Sequence, residues 1–212
     1  MVLDDDTNDI TRLIMKKTLF LAALLAGLAA AHAQQNVPRE EALKVALLLS
    51  ADLKQMLSTP IPTDPDVKRP VAVREGERGG LVMPECKLSA DALAKAGKDV
   101  VPVGQLWLRG VTPERDGQPV KPDKLLTVTV GAGDKSATVL LCALGARKDA
   151  DGKLELLVYG KDKEPILRAP LKAISAQQDN PIEMSADPQG QGAFVTLKIA
   201  GKYEASFTVV AE

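Results

Sequence analysis

The chain has 212 residues, with 27 Lys and Arg against 28 Asp and Glu, one histidine and two cysteines. A balance this even offers no basic stripe for neutralising phosphates, which sets nucleic acid aside as a partner. The one histidine, His32, falls inside an export signal, so the mature chain carries none; this removes Ser-His-Asp and Cys-His catalysis and histidine-containing zinc and copper sites.

The signal begins at Met15. Lys16 and Lys17 form its basic start, residues 18–31 its apolar core, and Ala31-His32-Ala33 its small-residue end, before the polar Gln34 and Gln35. This is the secretory pattern, and cleavage is expected after Ala33. The core falls short of the roughly 20 apolar residues that span hydrocarbon, so no membrane span is expected after cleavage. Upstream, Asp4, Asp5, Asp6 and Asp9 do not suit the positive flank of a signal, and the expected start of translation is Met15. The mature chain is therefore expected outside the cytoplasm, periplasmic or extracellular.

Residues 34–100 read as a helix, a Pro-rich connector and a short second helix. Pro38 suits a first helical position, and Glu40 and Glu41 suit a first turn. Ala42, Val45, Leu49, Leu53 and Met56 recur at helical spacing, broadened by Leu43, Leu47, Leu48 and Leu57, which predicts a helix over Pro38–Leu57 packed on the rest of the chain. Pro60, Pro62, Pro65 and Pro70 make a stiff connector, in which Asp64 and Asp66 read as turn chemistry. A short helix is expected from Ser89 as N-cap to Gly97.

Residues 101–212 change to strand periodicity. Val101–Val111 comes first; Leu126, Val128 and Val130 alternate with Thr127 and Thr129; residues 137–144 are apolar on both faces and belong in a sheet centre. Leu154, Leu156 and Val158 alternate with Glu155 and Tyr159. Two further alternating runs surround Leu197 and Phe207. Period two with Gly-rich turns at residues 131–134, 151–152 and 201–202 is the half-buried antiparallel signature. The predicted fold is mainly β: an immunoglobulin-like antiparallel sandwich of about seven strands with the N-terminal helix packed on it, an open barrel being the alternative.

Cys86 and Cys142 are expected to form a disulfide, since an even count in an exported chain usually means a bridge. Gly131-Ala-Gly-Asp-Lys-Ser136 lacks the spacing of a phosphate loop and lies between strands, so it reads as a hairpin turn. Asp149-Ala-Asp-Gly-Lys-Leu-Glu155 lacks the third ligand and distal Glu of a calcium loop and also reads as a turn. Accordingly no catalytic, cofactor or metal residue is assigned. Trp107 shares a strand face with Gln105 and Arg109, and Trp beside Arg is contact-site composition; equally, the N-terminal helix needs a place to dock and burying Trp107 would provide it. The expected function is an exported, non-catalytic β domain binding a partner protein or supporting an envelope structure. The alternatives are a carboxylate-based enzyme acting on glycans, whose two acids must lie about 5–10 Å apart, and addition of a partner strand to an exposed sheet edge lacking lysine and proline.

Overall fold

The computed structural model of the protein describes residues 35–53, 59–131 and 136–212. The expected export signal and the end of the expected first helix lie outside these residues. β1 (Gln35–Asn36) leads into helix α1 (Arg39–Leu53), then the hairpin of β2 (Val71–Glu75) and β3 (Arg78–Pro84), then α2 (Ala90–Ala94). There follow β4 (Val101–Arg109), β5 (Val111–Arg115), β6 (Gln118–Pro119), β7 (Thr127–Val130), β8 (Ala137–Lys148), β9 (Leu154–Tyr159) and β10 (Pro165–Pro170). The chain ends with β11 (Lys172–Ala173), β12 (Ile182–Gln189), β13 (Gly192–Ile199) and β14 (Tyr203–Ala211).

The strands form two antiparallel sheets packed as a sandwich, and no barrel closes. The first runs β1-β2-β3-β4-β8-β9-β10, with β7 also on β8; the second runs β12-β13-β14-β5-β6, with β11 also on β14. β8 is central, as its two apolar faces require. One flank pairs with β4, while the other takes β7 near its start and β9 near its end. Between the sheets, Leu106, Leu144 and Leu156 of the first meet Met184, Leu197 and Phe207 of the second.

Eight and six strands exceed the expected seven, and three of the additional strands have a plain origin. Residues 71–84, for which no strand is expected above, are the β2–β3 hairpin, and β3 pairs with β4 directly. Its sequence signal is present: Val71 and Val73, then Gly76 at φ 58°, then Leu81 and Met83. The expected single strand Val101–Val111 is also two strands. Gly110, at φ 63°, takes a left-handed conformation that favours glycine, and there the chain leaves the first sheet for the second. At the β13–β14 turn both Ala200 and Gly201 have positive φ, 52° and 65°, the hand that matches strand twist.

The N-terminal third covers the outer face of the first sheet. Ala42, Ala46 and Leu49 of α1 pack on Leu81, Trp107 and Leu141. The small side chains of Ala42 and Ala46 let the helix approach closely. Further along that face Ile61 and Val100 pack on Ala143, Leu157 and Tyr159, so Tyr159, expected on a wet face, is buried. Gly145 permits this: a Cβ there would lie 2.5 Å from Val100 Cγ1 and 3.1 Å from Ile61 Cδ1. The short helix α2 is capped as read, with Ser89 Oγ accepting from the Ala92 N–H at 3.2 Å.

Candidate functional site

The site is built on β4. A register irregularity between Pro102 and Gly104 precedes its last turn of alternation, after which Leu106 and Leu108 face the inter-sheet core. Gln105, Trp107 and Arg109 consequently share the outer face. Trp107 is 3% exposed and lies against the cluster that α1 contributes to. A cavity of about 100 Å³ remains between helix and sheet, bounded by Val37, Val45, Leu49, Ala72, Val139 and Trp107. Arg74, Glu77, Arg78 and Arg109 also line it, and Arg74 ties this end to α1 through Glu41 at 3.4 Å.

Three buried side-chain polar atoms among the described residues lack a hydrogen-bond partner: Gln105 Oε1, Trp107 Nε1 and Arg109 Nη1. All three belong to successive outward positions of this one strand. Each such atom costs about 1–3 kcal/mol when left unmade; the residues Trp107 and Arg109 line the cavity and Gln105 does not. Gln105 is fixed at its other end, its Nε2 donating to Thr63 Oγ1 at 2.8 Å. Thus the two residues singled out from sequence, Trp107 and Arg109, come together at the cavity, with Trp107 under the helix. The sequence reading placed Gln105 on the same face but missed Arg74 and Arg78 across the hairpin. Their signal was the β2–β3 hairpin itself.

The expected Cys86–Cys142 disulfide is corrected by the structure: both thiols are free, Cys86 exposed and Cys142 buried. Register is the reason. Pro84 lies opposite Gly104 and Cys142 opposite Leu106, with β4 between the two strands. Two strand spacings alone are roughly 9.6 Å, beyond the Cα separation of about 7 Å that a bridge tolerates. Cys142 also faces the inter-sheet core. Burial there pushes its thiol up to about 12.

The acidic segments are occupied as turns and ion pairs. Asp66 accepts from Arg69 Nε at 2.6 Å and from the Lys68 N–H at 3.0 Å. Asp149 Oδ1 accepts from the Asp151 and Lys153 N–H groups at 2.9 and 2.8 Å. Glu155 holds Arg147 and Arg168 at 3.1 and 2.8 Å. The segment 132–135 of the glycine-rich turn lies outside the described residues, but Val130 pairs with Ala137 across it, as a hairpin requires. Glu85 has its carboxyl pushed up, chiefly by burial, and accepts from the Asp64 N–H at 2.8 Å. The sheet edges carry the residues that blunt strand addition: Pro188 in β12, and Pro165, Arg168 and Pro170 in β10. Among the described residues no helix is long and apolar enough to cross a membrane. No family model, no curated protein and no solved structure matches this chain.

Proposed function

We propose that this is an exported, non-catalytic β-sandwich that works by binding, and that its binding site is the apolar cavity between α1 and β4. The observation that carries the reading is an apolar cavity between helix and sheet with Arg74, Arg78 and Arg109 among its lining residues. Few convergent polar groups in a mostly apolar cavity is the make-up of a ligand site. Export rests on the basic start, apolar core and small residues of positions 15–33. Cleavage after Ala33 removes nothing from the described fold, since β1 starts at Gln35.

Two measurements test it. Mass spectrometry of the exported chain is expected to find its N-terminus at Gln34; a mature protein retaining residues 19–28 rejects export. For binding, the mature chain is refolded free of bound molecules, incubated with envelope extract, repurified and weighed by native mass spectrometry. A bound species on the wild type that is reduced on Arg109→Leu supports the cavity as the site. No bound species, or one indifferent to Arg109→Leu, rejects it.

A further inference from the structure

We propose that β7 is an interaction edge whose occupant is the β7 strand of a second copy of this chain, paired antiparallel about a two-fold axis. The inference does not rest on the cavity between α1 and β4. β7 pairs with β8 alone. The Leu141 N–H donates to the Leu126 carbonyl at 2.9 Å, which fixes the phase of this ladder. Leu126, Val128 and Val130 turn their backbone groups to β8, and Thr127 and Thr129 turn theirs away. Both threonines are exposed. Their outward N–H and C=O groups have no partner among the described residues.

An open row of backbone groups is a template for another strand. The outermost strands β12 and β10 are blunted by proline and charge, and β1 and β6 are two residues long. β7 has neither defence. Residues 125–131 read Leu-Leu-Thr-Val-Thr-Val-Gly, without proline or charge, and the strand itself is wholly β-branched, the composition that suits a pleated sheet. The register follows from the same phase. Centring the two-fold axis on Val128 sets Thr127 opposite Thr129 of the second copy, and Thr129 opposite its Thr127. Each of these pairs exchanges both of its N–H···O bonds, and Thr–Thr is a favourable cross-strand pair. Neighbouring centres do worse. Centred on Thr127, the register sets Thr129 against Leu125, whose N–H already donates to the Pro122 carbonyl at 3.2 Å. Centred on Thr129, it sets Thr127 against Gly131, where a φ of 89° turns the chain out of the extended conformation. Four residues a side make a small contact, so association is reversible and concentration-dependent.

Proline at position 129 is the discriminating substitution. The Thr129 N–H belongs to the open edge and not to the β7–β8 ladder, so its loss removes an intermolecular donor and no internal bond. Sedimentation of the exported chain is run under reducing conditions, so that the exposed Cys86 forms no intermolecular bridge. The expected result is a monomer–dimer equilibrium whose dimer fraction rises from micromolar to millimolar concentration. Over that range amide exchange at Thr127 and Thr129 is expected to slow in proportion to the dimer fraction, whereas Thr138, facing the other side of the same hairpin, keeps its rate. Thr129→Pro, with its fold checked by circular dichroism, is expected to be monomeric at every concentration. If that variant does not fold, Thr129→Lys takes its place, since lysine is a charge that natural edges use against pairing. A wild type that stays monomeric at millimolar concentration overturns the proposal. So does a dimer that the substitution leaves intact, or one in which the Thr127 and Thr129 amides exchange as fast as in the monomer. A foreign strand that pairs with β7 while the chain itself stays monomeric overturns the second copy as occupant.

Discussion

Cys142, in the middle of β8 with both faces covered, shows how a single buried group ties stability to pH. Burial raises its thiol from 9.0 to about 12. Between those values the unfolded chain has released the proton and the folded chain still holds it. The unfolded state therefore binds fewer protons, and stability falls as pH rises from 9 towards 12, by about 1.4 kcal/mol per pH unit for this one group. Denaturant unfolding across that range is expected to show a steeper alkaline decline in the wild type than in Cys142→Ala; parallel declines contradict it. Reactivity follows the same split. Cys86 is exposed, though burial and the charges of Asp64, Asp66 and Glu85 raise its thiol too. Slow labelling of one thiol in the folded chain, abolished by Cys86→Ser, is the expected outcome, with a second thiol reacting only after unfolding. Two equally fast thiols count against the described burial.

The elements differ in how much of each the sequence exposes. Helix α1 was legible from its spacing, yet spacing alone named too wide a face. Ala42, Ala46 and Leu49 are buried, at 4% exposure for Leu49, whereas Leu47 is 50% exposed. Leu49→Asp places a charge in an apolar contact and is expected to lower unfolding stability by several kcal/mol. Leu47→Asp is expected to stay within about 0.5 kcal/mol of wild type. Similar losses in the two variants would mean that α1 docks in another orientation. The connector is a further case. Four prolines marked a stiff link, but its role is cover: Ile61 sits where Gly145 leaves room, and Thr63 accepts from Gln105. Gly145→Ala drives a methyl against Val100 and Ile61, with a typical overpacking loss of about 1–3 kcal/mol. Thermal unfolding that matches wild type would show that the connector yields freely.

At the scale of the whole molecule, the chain crosses between the two sheets at β4–β5, β6–β7 and β10–β11. β4 sits in the first sheet and β5 in the second, with only Gly110 between them, while α1 and the connector close the outer face. Layers joined in this way are expected to unfold together. Denaturant transitions followed by Trp107 fluorescence, which reads the helix–sheet face, and by far-ultraviolet circular dichroism, which reads both sheets, should coincide. An earlier fluorescence transition would mean that α1 peels away separately, and would recast the cavity as the seat of a detachable segment.

The sequence by itself determined the β class, the central placement of residues 137–144, the Ser89 cap and the face shared by Gln105, Trp107 and Arg109. These follow from periodicity and capping, which are local: a side chain's face depends on its own strand, and a cap on residues three apart. Only the tertiary structure decided that Cys86 and Cys142 stay apart, that the first sheet extends back to β1, and that α1 and Ile61 bury Trp107 and Tyr159. Those outcomes depend on which strands become neighbours and in what register. Strand neighbours are chosen by the joint packing of two sheets, a helix and a connector, and no single segment carries that information.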